Sequence, residues 1–303
     1  MTYSEALKTG TQLLKDANIE APAVDAGALL CAAANCGRVF LYAHGDSILE
    51  EGRLQEYLSA LKKRAQGYPL QYLTGVQEFM SLPFETGPGV LIPRQETELL
   101  VETVLRFCEE RASSAGPVCG GTLSAVPVRG GTSLHILDIG TGSGCIAISL
   151  AHYLQYCAVT AVDKMEDALT IARRNALKNG VEDRIDFIKG DLFQNVEYKA
   201  FDVIVSNPPY IRSGDIPELM REVRDHEPRT ALDGGRDGLD FYREIVKLAP
   251  VYMKRGGLLA FETGYDQAGA VASLMSTKFV EIKTFRDLSG TERVVSAICA
   301  GMS

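Results

Sequence analysis

The chain has 303 residues, above the usual single-domain size, so one or two domains are expected, each able to bury its own core. Its 31 basic and 39 acidic residues leave a net charge of -8, which provides no general basic field for gripping a phosphate backbone, and direct nucleic-acid binding is not expected. No apolar run approaches membrane-spanning length, and the opening Met1-Thr2-Tyr3-Ser4 lacks the basic-then-apolar order of a signal peptide, so the chain reads as a cytoplasmic monomer away from membranes.

Seven cysteines are odd in number, scattered and never arranged as C-x-x-C; they read as buried reduced thiols. The four histidines show no metal-ligand spacing, and no metal is expected.

Thr2 to about Thr74 reads as a small helical bundle. Tyr3, Ala6, Leu7, Leu13 and Leu14 share one helical face, Val24, Ala28, Leu29 and Ala32 a second, and Leu54, Tyr57, Leu58, Leu61 and Ala65 a third. Gly67 and Pro69 punctuate the end of the third helix. Such a module in front of an α/β domain either packs as structure or recognises a macromolecular partner. Residues 1–75 are therefore expected to form an N-terminal helical domain, 76–93 a hairpin linker carrying Gly87, Pro88 and Gly89, and 94–303 a catalytic domain. Arg94 stands before the next helix either as a surface or capping residue or as a ligand contact. Arg111 to Ser133, rich in Gly, Ser, Ala and Pro without period, reads as a flexible loop or an insertion.

His135 to Leu150 reads as strand, glycine turn and helix. The turn Gly140-Thr141-Gly142-Ser143-Gly144 lets a ligand approach the backbone, but its Gly-x-Gly-x-Gly spacing is not that of a pyrophosphate loop. Asp138 before it would repel phosphate and welcome a cation. A second strand ends in Asp163, where an acidic side chain accepts hydrogen bonds from ribose hydroxyls. A third ends in Gly190-Asp191-Leu192, where Asp191 meets an adenine amino group and Leu192 packs on the ring. Val203 to Val205 is a short β-branched apolar run of the kind that forms a strand buried on both faces. Asn207, Pro208, Pro209 and Tyr210 follow at its carboxyl end, where open α/β sheets place their ligands. The prolines exclude a helix. Asn207 and the backbone offer acceptors and Tyr210 a flat face, which together suit a planar NH2 group. Asp215 to Leu239 reads as a polar loop able to cover the site. The last two strands, Phe279 to Phe285 and Val294 to Ile298, are joined too briefly for a parallel crossover and must be antiparallel. The expected fold is α/β, a Rossmann-like, mostly parallel sheet with one antiparallel edge strand.

A ligand with ribose, adenine and a cationic centre but no phosphate is S-adenosyl-L-methionine, whose product is S-adenosyl-L-homocysteine. With Pro69 to Gly75, Leu91 to Arg94 with Thr97-Glu98, Asp138 to Gly144, Ser206 to Ile211, Glu227-Pro228, Asp233 to Gly235, Asp237 to Leu239, and Asp287 with Gly290 and Arg293, the chain resembles the protein-(glutamine-N5) methyltransferases of peptide chain release factors. That resemblance implies a class I methyltransferase domain. It implies cofactor contacts from Asp138, Gly140, Thr141, Gly142, Ser143, Gly144, Asp163, Asp191, Leu192 and Asn207, and a glutamine held by Asn207, Pro208, Pro209 and Tyr210, with Asn207, Pro208 and Tyr210 catalytic. It also implies that the N-terminal helices help bind a release factor and present its Gly-Gly-Gln loop. Gly27 departs from the family's pattern, which begins here with Asp25-Ala26 and expects an acid next. Alternative readings are a ribosomal-protein glutamine methyltransferase, an adenine-N6 methyltransferase on nucleic acid, and a cofactor-binding module without catalysis. The acidic balance disfavours the adenine reading.

Overall fold

The structure, a computed structural model, describes residues 1–114, 134–198 and 200–301, with the backbone only at 112–114. Five helices come first: α1 (Tyr3–Asp16), α2 (Pro22–Ala34), α3 (Arg38–Ala43), α4 (Glu51–Ala65) and α5 (Leu70–Thr74). A hairpin, β1 (Val76–Phe79) and β2 (Leu82–Glu85), precedes α6 (Glu98–Ser114). Then come β3 (Leu134–Ile139), α7 (Cys145–Tyr153), β4 (Cys157–Asp163), α8 (Glu166–Lys178), β5 (Ile185–Lys189) and β6 (Phe201–Ser206). The chain finishes with α9 (Arg221–His226), α10 (Asp240–Tyr252), β7 (Met253–Glu262), α11 (Ala268–Met275), β8 (Phe279–Arg286) and β9 (Glu292–Cys299). The loop read over Arg111 to Ser133 lies, from residue 115 onward, outside the described residues.

Two compact units result, one of Met1–Val76, Thr86–Pro88 and Leu219–His226, the other of Gln77–Glu85, Gly89–Glu218 and Glu227–Ser303. In the first, Thr2 and Glu5 form a capping box that satisfies two orphan amides at the start of α1. Its core holds Ala6, Leu14, Ala26, Leu29, Leu30, Leu54, Tyr57 and Leu61. The buried face of α2 is a correction to the sequence reading. Asp25, Ala26, Leu29 and Leu30 turn inward, whereas Val24 is 53% exposed and Ala32 is also outside. A helix whose only charged residue is Asp25 offers no polar stripe to orient it. What orients it is an ion pair: Arg64 on α4 donates to buried Asp25 at 2.7 Å and to Glu222 on α9 at 2.6 Å. Removing one partner of so enclosed a pair costs roughly 3–5 kcal/mol.

The second unit is a seven-stranded sheet in the order β5-β4-β3-β6-β7-β9-β8. The first five strands are parallel, and β9 runs antiparallel to both β7 and β8 at that edge. Alternate residues feed two cores. Ile136, Val203, Val205, Leu258 and Ala260 face α6 and α7, while Leu137, Ile204, Leu259 and Phe261 face α10 and α11. With both faces covered, every side chain of β6 is buried, which is why its centre, Val203 to Val205, is a continuous apolar run. From β3 the chain winds outward through β4 and β5, then returns to lay β6 on the other side of β3. The carboxyl ends of β3 and β6 are therefore a topological switch point, where such sheets bind ligands. The Ser206 hydroxyl donates to the Ile139 carbonyl at 2.7 Å and ties those two ends together.

Candidate active site

A cavity of about 560 Å³ opens at this switch point. Gly140 and Gly142 form its floor with φ of 74° and 56°, a left-handed region that disfavours side chains, and a Cβ on either would project into open space. That leaves bare backbone for a ligand to lie on. The Gly144 position is tight instead: a Cβ there would come within 2.8 Å of the Ile148 side chain and 3.1 Å of Ala172 Cβ, so this glycine serves the packing of α7 on α8. Asp163 closes β4 with both carboxylate oxygens in use, Oδ2 accepting from the Gly142 amide and Oδ1 from the Met165 amide, each at 2.9 Å. Burial pushes its carboxyl above the usual range, and those amides pull it back. It thus braces the glycine turn while keeping spare lone pairs for hydroxyl donors.

Beneath the turn, Asp138 is fully buried. Its Oδ2 accepts from the Thr141 hydroxyl at 2.6 Å, while Oδ1 has no partner, and burial pushes the carboxyl up to about 7. On the far side, Lys164 pairs with Asp191 at 2.8 Å in an exposed, salt-screened contact. Leu192 lines the cavity with a left-handed φ of 54°, uncommon for a leucine and held by the tight turn after β5.

The loop after β6 is held from several directions. Asn207 Nδ2 donates to the Thr97 hydroxyl at 3.2 Å, and no donor among the described residues reaches its Oδ1. Gln267 Nε2 donates to the Tyr210 carbonyl at 2.8 Å. Ile211 bonds to residues 232–234 across the loop exit, its amide donating to Leu232 O at 2.9 Å and its carbonyl accepting from the Gly234 amide at 2.8 Å. Gly234 lies so close that a Cβ would come within 2.7 Å of both Pro209 O and Tyr210 Cα. Behind the loop, Glu262 at the end of β7 is buried; it accepts from the Tyr210 hydroxyl at a long 3.4 Å, and its Oε2 has no partner. Burial pushes this carboxyl up to about 7, and Thr97 and Arg293 counteract the rise.

Of the residues singled out in the sequence, Gly140, Gly142, Asp163, Asp191, Leu192, Asn207, Pro208 and Pro209 line one cavity. Asp138, Thr141, Ser143, Gly144 and Tyr210 stand outside that lining, the first four in or under the turn and Tyr210 against Glu262 and Gln267. Several lining residues carried no sequence signal: Val90, Met165, Thr230 and Phe241. Arg94, whose role was open, donates to the buried Glu227 carboxylate at 2.5 Å. The ion pair joins the chain just after Leu91 to the chain just before Pro228, and both of those residues line the cavity.

A parallel sheet with a bare glycine turn, an acid closing the next strand and an Asn-Pro-Pro-Tyr loop at the switch point is the arrangement of a methyltransferase. The Methyltransferase small domain profile matches residues 121–226, and the PrmC N-terminal domain profile matches residues 5–75. The release factor glutamine methyltransferase of Geobacter sulfurreducens is 42% identical over 283 residues, 93% of this chain and 91% of the relative. That of Clostridium acetobutylicum is 37% identical over the full length of both chains. The chain belongs to the release factor glutamine methyltransferase family, and it is an enzyme of the methyltransferase class. Among solved structures the hMettl16 catalytic domain shares the fold, with a TM-score of 0.51 over 82% of each chain at 14% identity. No helix among the described residues is long and apolar enough to cross a membrane.

Proposed function

We propose that this enzyme transfers a methyl group from S-adenosyl-L-methionine to the side-chain amide nitrogen of the glutamine in the Gly-Gly-Gln loop of a peptide chain release factor. The observation that carries the reading is Asn207: its amide N-H is taken up by Thr97, so its Oδ1 is presented as an acceptor in the cavity. Family membership supports the substrate, and the cavity supports the cofactor. Gly140 and Gly142 offer a backbone floor, Asp163 accepts from ribose hydroxyls, and Asp191 and Leu192 receive an adenine ring. S-adenosyl-L-methionine supplies an electrophilic methyl group there and leaves as S-adenosyl-L-homocysteine.

The chain's own task is to make an amide nitrogen reactive. Its lone pair is delocalised into the carbonyl and must be freed as the new N–C bond forms. Asn207 Oδ1 and the Pro208 carbonyl accept the two N-H groups of the glutamine, and their pull strengthens as the nitrogen becomes pyramidal and partly positive. Tyr210, set against Glu262 and Gln267, braces the loop from behind. No general base is needed, because the methylated nitrogen sheds its proton to water afterwards. Each neutral hydrogen bond contributes only about 0.5–1.5 kcal/mol, so alignment of nitrogen and methyl supplies much of the rate. The N-terminal helices, residues 1–75, are assigned the docking of the release factor.

The test is Asn207→Ala, with methyl transfer and cofactor binding measured separately. Turnover is expected to fall at least ~100-fold while the Kd for S-adenosyl-L-methionine stays within a few-fold. A variant with near-normal turnover would remove Asn207 from the mechanism.

A further inference from the structure

The target glutamine arrives on a folded protein, whose body rests against the enzyme while the loop enters the cavity. Two glycines offer no side chain to grip, so the hold comes from the partner's surface to either side of that loop. Beyond β6 the sheet continues through β7, β9 and β8, and β8 runs in the same direction as β7. The loop after β7, residues 263–267, and the β8–β9 hairpin tip, residues 287–291, therefore stand at the same edge of the sheet as Asn207. At a spacing of about 4.8 Å per strand, the hairpin lies roughly 10–15 Å along that edge from the end of β6. Each loop carries one large apolar side chain out in solvent: Tyr265 is 71% exposed and Leu288 109%.

We propose that Tyr265 and Leu288 are the anchors of a docking surface on the second unit, where an apolar patch of the release factor beside its Gly-Gly-Gln loop comes to rest. The inference rests on the reaction proposed above and adds to it the contact that brings the protein substrate into register. Single exposed apolar residues are ordinary on a protein surface. These two differ in where they stand and in how they are held.

The residues after Tyr265 grip the catalytic loop. Asp266 accepts from Arg212 at 2.7 Å, and Gln267 donates to the Tyr210 carbonyl at 2.8 Å while its Oε1 accepts from the Gly264 amide at 3.1 Å. Tyr265 is thereby tied to the loop that carries Asn207, and a partner seated on it is registered to the reacting nitrogen. At the hairpin, Asp287 Oδ1 accepts from the Ser289 amide at 2.9 Å, the Ser289 hydroxyl at 2.6 Å and the Thr291 amide at 2.9 Å, while Oδ2 accepts from Arg293 Nε at 3.1 Å. The Thr263 amide donates to the Arg293 carbonyl at 2.8 Å and joins this tip to the loop after β7. A side chain presented on so well bonded a backbone loses little freedom on binding. The charges beside both anchors are paired, Arg212 with Asp266 and Arg286 with Glu292 at 2.6 Å, which gives the apolar contacts a polar rim, the layout of a protein interface. Tyrosine is among the residues that most often carry the binding energy of such interfaces.

The experiment measures kcat and KM for methylation of a release factor by the full chain, with cofactor Kd by calorimetry and thermal unfolding as controls. Tyr265→Asp and Leu288→Asp should each raise KM about tenfold, as loss of an interface anchor does, with kcat, cofactor Kd and unfolding temperature little changed. Tyr265→Phe and Leu288→Met keep the apolar contact and should stay within about threefold of the parent KM. Val280→Asp puts the same charge on an exposed residue at the opposite end of β8 and should leave KM unchanged. If the parent enzyme adds no methyl to the release factor, the reaction assigned above fails, and this docking surface with it. If the parent is active and either aspartate variant at Tyr265 or Leu288 matches it in KM, or its loss falls on kcat or cofactor Kd instead, the proposal is overturned. The same follows if Val280→Asp raises KM as much, or if the phenylalanine and methionine variants are as impaired as the aspartates.

Discussion

Asp138→Asn should make the cofactor-free protein more stable at pH 8, with an advantage that largely disappears at pH 5. In the unfolded chain this carboxyl ionises near 3.8; in the folded one, burial holds it up to about 7. A raised carboxyl binds its proton more tightly when folded, so its contribution to stability is intact below about pH 4, declines as pH rises, and is fully lost above about pH 7. The difference corresponds to roughly 4 kcal/mol at pH 8. Asparagine removes that penalty and keeps an oxygen for the Thr141 hydroxyl, but it sets an NH2 where Oδ1 now lacks a partner, and an unsatisfied buried donor costs about 1–3 kcal/mol. The net expectation is a gain of about 1–3 kcal/mol at pH 8; at pH 5 only about 1.6 kcal/mol of the ionisation penalty is left to remove, so the effect there lies between a gain of about 0.6 and a loss of about 1.4 kcal/mol and the two stability curves converge. Urea unfolding of both proteins at the two pH values, without S-adenosyl-L-methionine, reads this directly. An asparagine variant destabilised equally at both would show that Asp138 is not held in a costly ionised state. Glu262, pushed up to about 7 by the same cause, keeps the parent's stability falling over this window in either protein.

Two further substitutions probe the cavity floor. Asp163→Ala removes the acceptor of the Gly142 and Met165 amides, and the Kd for S-adenosyl-L-methionine, measured by calorimetry, should rise at least ~10-fold as two well-placed bonds are lost. Gly144→Ala places a methyl group 2.8 Å from Ile148 Cδ1 at a φ of 82°; a loss of about 1–3 kcal/mol in stability is expected, and an unchanged urea midpoint would show that α7 and α8 can move apart.

Much of the second unit was legible because its signals are local. The apolar run of β6, the glycine turn after β3 and the acid after β4 each sit within a few residues of the strand end that gives them meaning. The antiparallel relation of β8 and β9 followed from the length of their connection alone. What escaped were features built from distant residues. Thr97 appears in sequence only as part of a short motif, and nothing local shows that it meets Asn207. Arg94 reads as an ordinary arginine until Glu227 is brought to it, 133 residues later. Asp138 reads as a ligand contact because of its place before the glycines, whereas the turn folds over it and leaves it buried. In α2 the abundance of alanine hid which face was inward, and the partner that settles it, Arg64, lies on another helix.

The most direct test is peptide mass spectrometry of a release factor incubated with this enzyme and S-adenosyl-L-methionine. One added methyl group, carried by the glutamine of the Gly-Gly-Gln loop, is the expected result. An unmodified glutamine, in a sample where cofactor binding is confirmed, would contradict the assignment of the Asn207 site to the release factor.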